Sequence, residues 1–380
     1  MNPNVRLDTR LVDAGRPLRV LIVRIGAMGD VLHAMPAVAA LRELHPEWLI
    51  GWAIEPKLSE LLQSAEDFGR ASYSEGRSAG RPLVDVWHQV PTLMWKEHPF
   101  APSTIADIRA ARRELRAGRY DVCVDMQGLL KSAVVGWMAK ARVFGGAAEP
   151  REAQAAWLYG RRVKVQATHV IERGCELLGS AVGEELRPAK VTLPVDADAE
   201  RWCDEFLSKT LAHGEEFAFV APTAGWGAKQ WPEERYGAMA AALGHAGYRT
   251  LVNEPPRDPC ANRVVEASGG SATSVPCTIG QMISLVRRAG VVIAGDSGPL
   301  HLAAALGRPV VGLFGPTDPA RTGPYGTRSR VLRHESSATD HSRRSESEAG
   351  LMQITVDEVV EAALEMLRGG PDTEQGKVEV

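Results

Sequence analysis

Residues 18–23, LRVLIV, run straight into Arg24-Ile-Gly26-Ala-Met-Gly29-Asp30 and then into VLHAMPAVAALREL, whose apolar residues return at helical spacing. A short Leu/Val run without polar alternation suits a strand buried on both faces. A strand that turns through glycine into a helix is the repeating unit of parallel α/β sheets. The unit recurs: WLIGWAI (48–54), VDVWHQV (84–90) and YDVCVDM (120–126) read as further strands. STIADIRAARRELRAG (103–118) reads as a capped amphipathic helix closed by Gly118. From 217 a second series begins, with strands FAFVAP (217–222), YRTLVN (248–253), VVIAG (291–295) and VVGLFG (310–315). Helices are expected between them at WPEERYGAMAAALGHAG, TIGQMISLVRRAG and GPLHLAAALG.

The pattern divides the chain into a polar leader (1–17), a first α/β domain (18–180) and a linker (181–199) around Pro188 and Pro194. A second α/β domain (200–354), a terminal amphipathic helix (355–370) and a disordered tail (371–380) follow. Residues 334–350, rich in Ser, Arg and Glu, are expected to be a mobile surface insertion. Two such domains in tandem place a ligand cleft between them, because open parallel sheets bind ligands beyond the carboxyl ends of their strands.

Composition excludes several classes. With 44 Lys+Arg against 47 Asp+Glu the formal net charge is −3, so there is no basic coat for nonspecific nucleic-acid binding. The five cysteines (Cys123, Cys175, Cys203, Cys260 and Cys277) form no CxxC pair, which favours a reducing cytoplasm over a disulfide framework or zinc cluster. The polar start lacks a secretory signal, and no run reaches the roughly 18–20 apolar residues of a membrane span. Asp196-Ala-Asp198 has the DxD form of a divalent-cation site, yet it lies at a helix start away from the glycine loops, where capping is the better reading. No metal is expected.

Three loops can carry chemistry. In Gly26-Ala-Met-Gly29-Asp30 two glycines allow close backbone approach to a ligand, and Asp30 either opens the helix as its cap or faces the ligand. In Gly295-Asp296-Ser297-Gly298-Pro299-Leu300-His301 a strand ends and a helix begins, so free N–H groups and the helix dipole make a seat for phosphate. GDSGP also occurs around a protease nucleophile, but those enzymes are β-barrels, and the elbow of other hydrolases requires glycine where Pro299 stands. In Thr223-Ala-Gly-Trp-Gly-Ala-Lys229-Gln-Trp-Pro a single lysine before a helix can stabilise a leaving diphosphate. A P-loop and a GxGxxG dinucleotide fingerprint are both absent.

RVLIVRIGAMGDVLHAMPAVAALRE, DVCVDMQGLLKSA, GWGAKQWPEERY and VVIAGDSGPLHLAAALGRPVVGLFGPTDPARTGPYG occur in this order from residue 19 to 326. Together they resemble the ADP-heptose:lipopolysaccharide heptosyltransferases of glycosyltransferase family nine, the heptosyltransferase I group above all. The resemblance implies a GT-B architecture of two Rossmann-like domains, with acceptor on the first, donor on the second and a terminal helix folding back across the cleft. It implies that Asp30 is the catalytic base and Lys229 the catalytic donor-phosphate lysine, with Asp296, Ser297, Gly298 and His301 in the diphosphate loop. Thr223 adds a phosphate contact, and Asp258 is the match for the residue holding the adenosine ribose. Gly29, Gln127, Gly128, Lys131, Ser132 and Arg151 fall to the acceptor side, where basic groups suit phosphate and carboxylate.

The implied reaction is inverting transfer of heptose from ADP-heptose, as co-substrate, to the Kdo of Kdo-lipid A in lipopolysaccharide inner-core synthesis, with no cofactor or divalent metal. The enzyme would work peripherally on the cytoplasmic face of the inner membrane, where the basic run RAARRELRAGR (109–119) can meet lipid. Two other readings stay open: a family-nine enzyme with another donor or acceptor, and a nucleotide-binding protein without catalysis.

Overall fold

The computed structural model describes residues 16–65, 77–256, 258–340, 342 and 346–369. Most of the leader and all of the tail lie outside them. The chain forms two compact units, Met1–Asp196 and Ala197–Val380.

In the first unit six strands, β1 (Arg19–Val23), β2 (Leu49–Ile54), β3 (Val86–Gln89), β4 (Val122–Asp125), β5 (Val143–Ala147) and β6 (Arg161–Val163), form a parallel sheet ordered β3-β2-β1-β4-β5-β6. The second unit repeats the plan with β7 (Phe217–Ala221), β8 (Arg249–Glu254), β9 (Ala272–Pro276), β10 (Val291–Gly295), β11 (Val310–Leu313) and β12 (Ser329–Leu332), ordered β12-β11-β10-β7-β8-β9. Numbered within its own unit, each sheet runs 3-2-1-4-5-6, the doubly wound order. In each the strand order reverses between the first and fourth strands, β1 beside β4 and β7 beside β10. Chain direction diverges there, so the loops leaving those strands open a crevice.

Local sequence accounts for these elements. Val20 to Val23 and all of β10 are buried, as the unbroken apolar runs require. The basic helix begins at Pro102, without a side-chain cap, and Gly118 closes it. Proline suits that start because its missing N–H would have no partner there. The first helix, Met28–Leu44, begins earlier than the alternative of Asp30 as its cap demands: Ala27 occupies the cap, and Asp30 lies inside the first turn.

The terminal helix, Val356–Arg368, is a core element of the second unit, where Val359, Ala363, Met366 and Leu367 share a cluster with Met239 and Val311. Trp231 Nε1 fixes the turn before it by donating to Ile354 O at 3.0 Å. The 334–350 segment, expected to be mobile, is anchored through its described residues, which leave out 341 and 343–345: Ser337 is buried, Ser347 Oγ donates to Gln230 O at 2.7 Å, and Glu348 N donates to Ala228 O at 3.2 Å. Low-complexity composition gave no hint that it backs the Lys229 loop. The linker packs on the first unit, through Ala189 N to Pro36 O at 3.2 Å and Ala65 N to Asp196 Oδ2 at 2.6 Å. Asp198 faces Arg201 at 2.6 Å.

Candidate active site

At the β1/β4 reversal, Asp30 is gripped by two arginines. Arg24 Nη2 lies 2.7 Å from Oδ1, and Arg151 donates through both terminal nitrogens, Nη1 to Oδ2 at 3.0 Å and Nη2 to Oδ1 at 2.9 Å. Arg24 is buried and fixed, with Nε on Asp30 O at 2.9 Å and Nη1 on Met126 O. The Arg151 side chain is 45% exposed and Asp30 22%, so solvent and ligands reach this pair. Burial works to raise the Asp30 pKa, but Arg24 first and Arg151 second outweigh it and hold it at about 2.

The loop after β4 is built around Asp125. Its carboxylate accepts from Gln127 N at 2.9 Å, Gly128 N at 3.1 Å, Ser132 Oγ at 2.9 Å and Tyr159 OH at 2.7 Å. Burial raises the Asp125 pKa, and these donors offset part of the cost. Gly128 has φ +72°, and a Cβ there would stand 3.1 Å from Arg151 N, so glycine is needed on both counts. Glu152 N donates to Gly128 O at 2.9 Å and Leu130 N to Glu152 Oε2 at 2.6 Å, which locks the strand of chain carrying Arg151 against this loop.

Among the expected acceptor residues, Gly29 lies in the helix's first turn beside Asp30, and Lys131 is exposed, with Nζ 3.4 Å from Thr92 Oγ1. Ser132 is corrected: it is wholly buried, with its hydroxyl on Asp125 and Leu129 O, so it shapes the loop and cannot meet an acceptor. Gln127 is also turned inward, its Oε1 accepting Ile25 N at 2.8 Å, and so ties the β4 loop to the β1 loop.

At the β7/β10 reversal, Lys229 Nζ lies 2.6 Å from Asp296 Oδ2 and 4.7 Å from the centre of the Trp226 ring. His301 Nε2 lies 3.0 Å from Asp296 Oδ1. Asp296 is buried; desolvation opposes its charge, yet His301 and then Lys229 hold its pKa far below the usual carboxylate range. The close approach requires Gly295, where a Cβ would come within 2.8 Å of Lys229 O. Ser297 stands at the cap of the helix Gly298–Ala305 without capping it, and its buried Oγ has no hydrogen-bond partner among the described residues. That hydroxyl, the helix N–H groups and Lys229 are groups that can hold an anion.

Thr223, half-buried, follows β7 at the same sheet edge. Asp258 lies in the loop after β8, where Oδ1 accepts Cys260 N at 3.0 Å, the ordinary use of an aspartate at a helix start. Two residues had not been singled out. Arg24 sat unread inside the first motif, and Thr317, after β11 in the quoted GPTDP segment, is buried with no hydrogen-bond partner for its Oγ1 among the described residues. Only the packed structure reveals the burial that makes either one notable.

The profile of "Glycosyltransferase family 9 (heptosyltransferase)" matches residues 108–351. Lipopolysaccharide heptosyltransferase 1 of Salmonella typhimurium is 28% identical over 314 residues, covering 81% of this chain and 92% of the relative. The Escherichia coli K12 protein of the same name is 27% identical over 321 residues, covering 83% and 93%. Among solved structures, E. coli heptosyltransferase WaaC with ADP superposes with a TM-score of 0.71 at 26% identity, over 92% of this chain and all of that one. The same enzyme with ADP-2-deoxy-2-fluoro heptose gives 0.69 at 26% identity, over 92% and 99%. A profile spanning more than half of the sequence, on two doubly wound units, settles the assignment: the chain belongs to glycosyltransferase family 9 and is a glycosyltransferase of the GT-B fold.

Proposed function

We propose that this enzyme transfers heptose from ADP-heptose to the Kdo of Kdo-lipid A, with the acceptor held by the first unit and the donor by the second. The observation that carries the reading is the exposed Arg151 guanidinium lying bidentate on Asp30. A carboxylate held at about 2 is a weak base, and Arg151 is the part of the clamp that can leave. An acceptor sugar bearing its own carboxylate competes for that fork. As Arg151 turns to the acceptor, Asp30 loses a cation and gains basicity where the attacking hydroxyl arrives.

In the step itself, Asp30 takes the hydroxyl proton and the acceptor oxygen bonds to the anomeric carbon from the face opposite the diphosphate. The bond to the diphosphate breaks, its electron pair leaves with ADP, and the anomeric configuration inverts. Lys229, Ser297 Oγ and the helix start stabilise the charge that grows on the departing oxygens. The reading requires no divalent metal, since these groups supply positive charge and hydrogen bonds at the leaving group. Work on a lipid-linked acceptor places the enzyme at the cytoplasmic face of the inner membrane; no helix among the described residues is long and apolar enough to cross one.

The test is ADP release from ADP-heptose with and without Kdo-lipid A, run beside UDP- and GDP-sugars. Release that depends on both named substrates is expected. Equal release from another nucleotide sugar, or none with Kdo-lipid A, would sink the assignment.

A further inference from the structure

We infer that the helix Leu130–Met138 and the adjoining turn Ala153–Trp157 form the face by which the enzyme docks on an anionic lipid bilayer. The inference rests on the lipid-linked acceptor proposed above and names the surface that would reach it.

The outward positions of this helix are Leu130, Val134 and Trp137, which are 42%, 39% and 52% exposed. A helix on a water-facing surface carries polar residues at those positions. Its inner face is satisfied, since Ala133 packs with Ala155, Ala156 and Tyr159. That packing brings in the neighbouring turn, whose Trp157 is 76% exposed. Two tryptophans and two aliphatic side chains facing outward on adjoining elements are what the headgroup boundary of a bilayer accommodates, with the indole rings half in apolar surroundings and their N–H groups wet.

The rim selects the occupant. Lys131 is exposed on the same helix and Lys140 just past its end, Arg162 Nε donates to Ala156 O at 3.1 Å, and Arg116 Nε donates to Met138 O at 3.3 Å. These arginines spend hydrogen bonds on backbone carbonyls and keep their positive charge at the edge of the apolar patch. Glu152 is turned onto Leu130 N. A second copy meeting this face about a two-fold axis would set cation against cation, whereas anionic headgroups complement it. Docking here also sets the loop of Gln127 and Gly128, three residues before the helix begins, next to the lipid surface.

The experiment is co-sedimentation of the full chain with vesicles of phosphatidylethanolamine and phosphatidylglycerol, free of acceptor, against vesicles of phosphatidylcholine alone. The wild type should bind the anionic vesicles and release with salt. The Trp137→Ser/Trp157→Ser variant should lose about tenfold or more in partitioning, while ADP release with a water-soluble, delipidated acceptor and the thermal midpoint stay unchanged. Lys140→Glu, made separately, should weaken binding to anionic vesicles alone. Undiminished binding by the double variant, indifference of the wild type to phosphatidylglycerol, or a dimer abolished by the tryptophan changes would overturn the inference. Failure of the transfer reading shows differently, as absent ADP release by the wild type on the soluble acceptor with vesicle binding intact.

Discussion

The two strand-order reversals share one topology and use an aspartate in opposite ways. At β1/β4 the carboxylate of Asp30 is reachable and its fixed cation, Arg24, is buried behind it. At β7/β10 the carboxylate of Asp296 is the buried member, with a side chain 7% exposed, and Lys229, at 15%, lies nearer solvent. A fixed cation behind a reachable carboxylate prepares a proton acceptor, whereas a buried anion behind a lysine aims positive charge at a ligand. The second unit is therefore suited to phosphate and the first to a hydroxyl, although both sheets follow the same winding.

Removing each aspartate is the sharpest way to break this contrast. Asp30→Asn keeps the size of the side chain and abolishes the base, so kcat should fall by about 10²–10⁴-fold while calorimetric affinity for ADP-heptose is retained. Asp296→Asn should loosen Lys229 and weaken donor affinity, with a smaller loss of kcat at saturating donor. Near-normal turnover in Asp30→Asn removes Asp30 from the chemistry. Equal effects of the two variants on donor affinity would show that the sites are not divided in this way.

How far these roles could be read from sequence depended on what each residue required. β1 and β10 declared themselves because strands buried on both faces need unbroken apolar runs. β5, Val143–Ala147, was missed because its middle is glycine, and the reason is tertiary: a Cβ at Gly146 would strike the Tyr159 ring at 2.3 Å. β6 and β12 are a three-residue strand and a largely exposed four-residue one, too short or too polar to show a period. In the site, Asp30, Lys229, Asp296 and His301 stood in glycine loops between strand and helix and could be read locally. The ion pair between Asp30 and Arg151 spans 121 positions, and no spacing rule connects them. Ser132 misled because a polar residue in a loop looks available until burial shows that Asp125 has claimed it.

The clamp itself can be tested next. Arg151→Ala removes one of the two cations holding Asp30 down, so the folded pKa rises from about 2 toward the ordinary 3.8. The ionised carboxylate is the active form, and the acid limb of kcat/KM should therefore move to higher pH, by about one unit, together with a raised KM for the acceptor. Lys229→Ala should leave that limb in place and reduce kcat and donor affinity instead. An acid limb unmoved in Arg151→Ala would show that Arg24 alone sets Asp30, and the release of Arg151 would lose its purpose.

The smallest effect lies in stability, and there the two sites should converge. Both aspartates have folded pKa values below the ordinary 3.8, Asp30 at about 2 and Asp296 lower still. A depressed carboxylate stabilises the fold fully above its unfolded pKa, and that contribution is lost as pH falls toward the folded value, because the unfolded chain binds the proton first. Between pH 6 and pH 3 each aspartate should therefore account for about 1 kcal/mol of lost stability, nearly the same for both, since neither is protonated in the folded state at pH 3. Urea unfolding of wild type, Asp30→Asn and Asp296→Asn across that range should give two variants with similarly flattened acid dependence, even though their kinetics differ widely. A flattened profile in Asp296→Asn alone would mean that Arg24 and Arg151 together do no more than offset the burial of Asp30 in solution, and that the reachable carboxylate is already free to act as a base before any acceptor arrives.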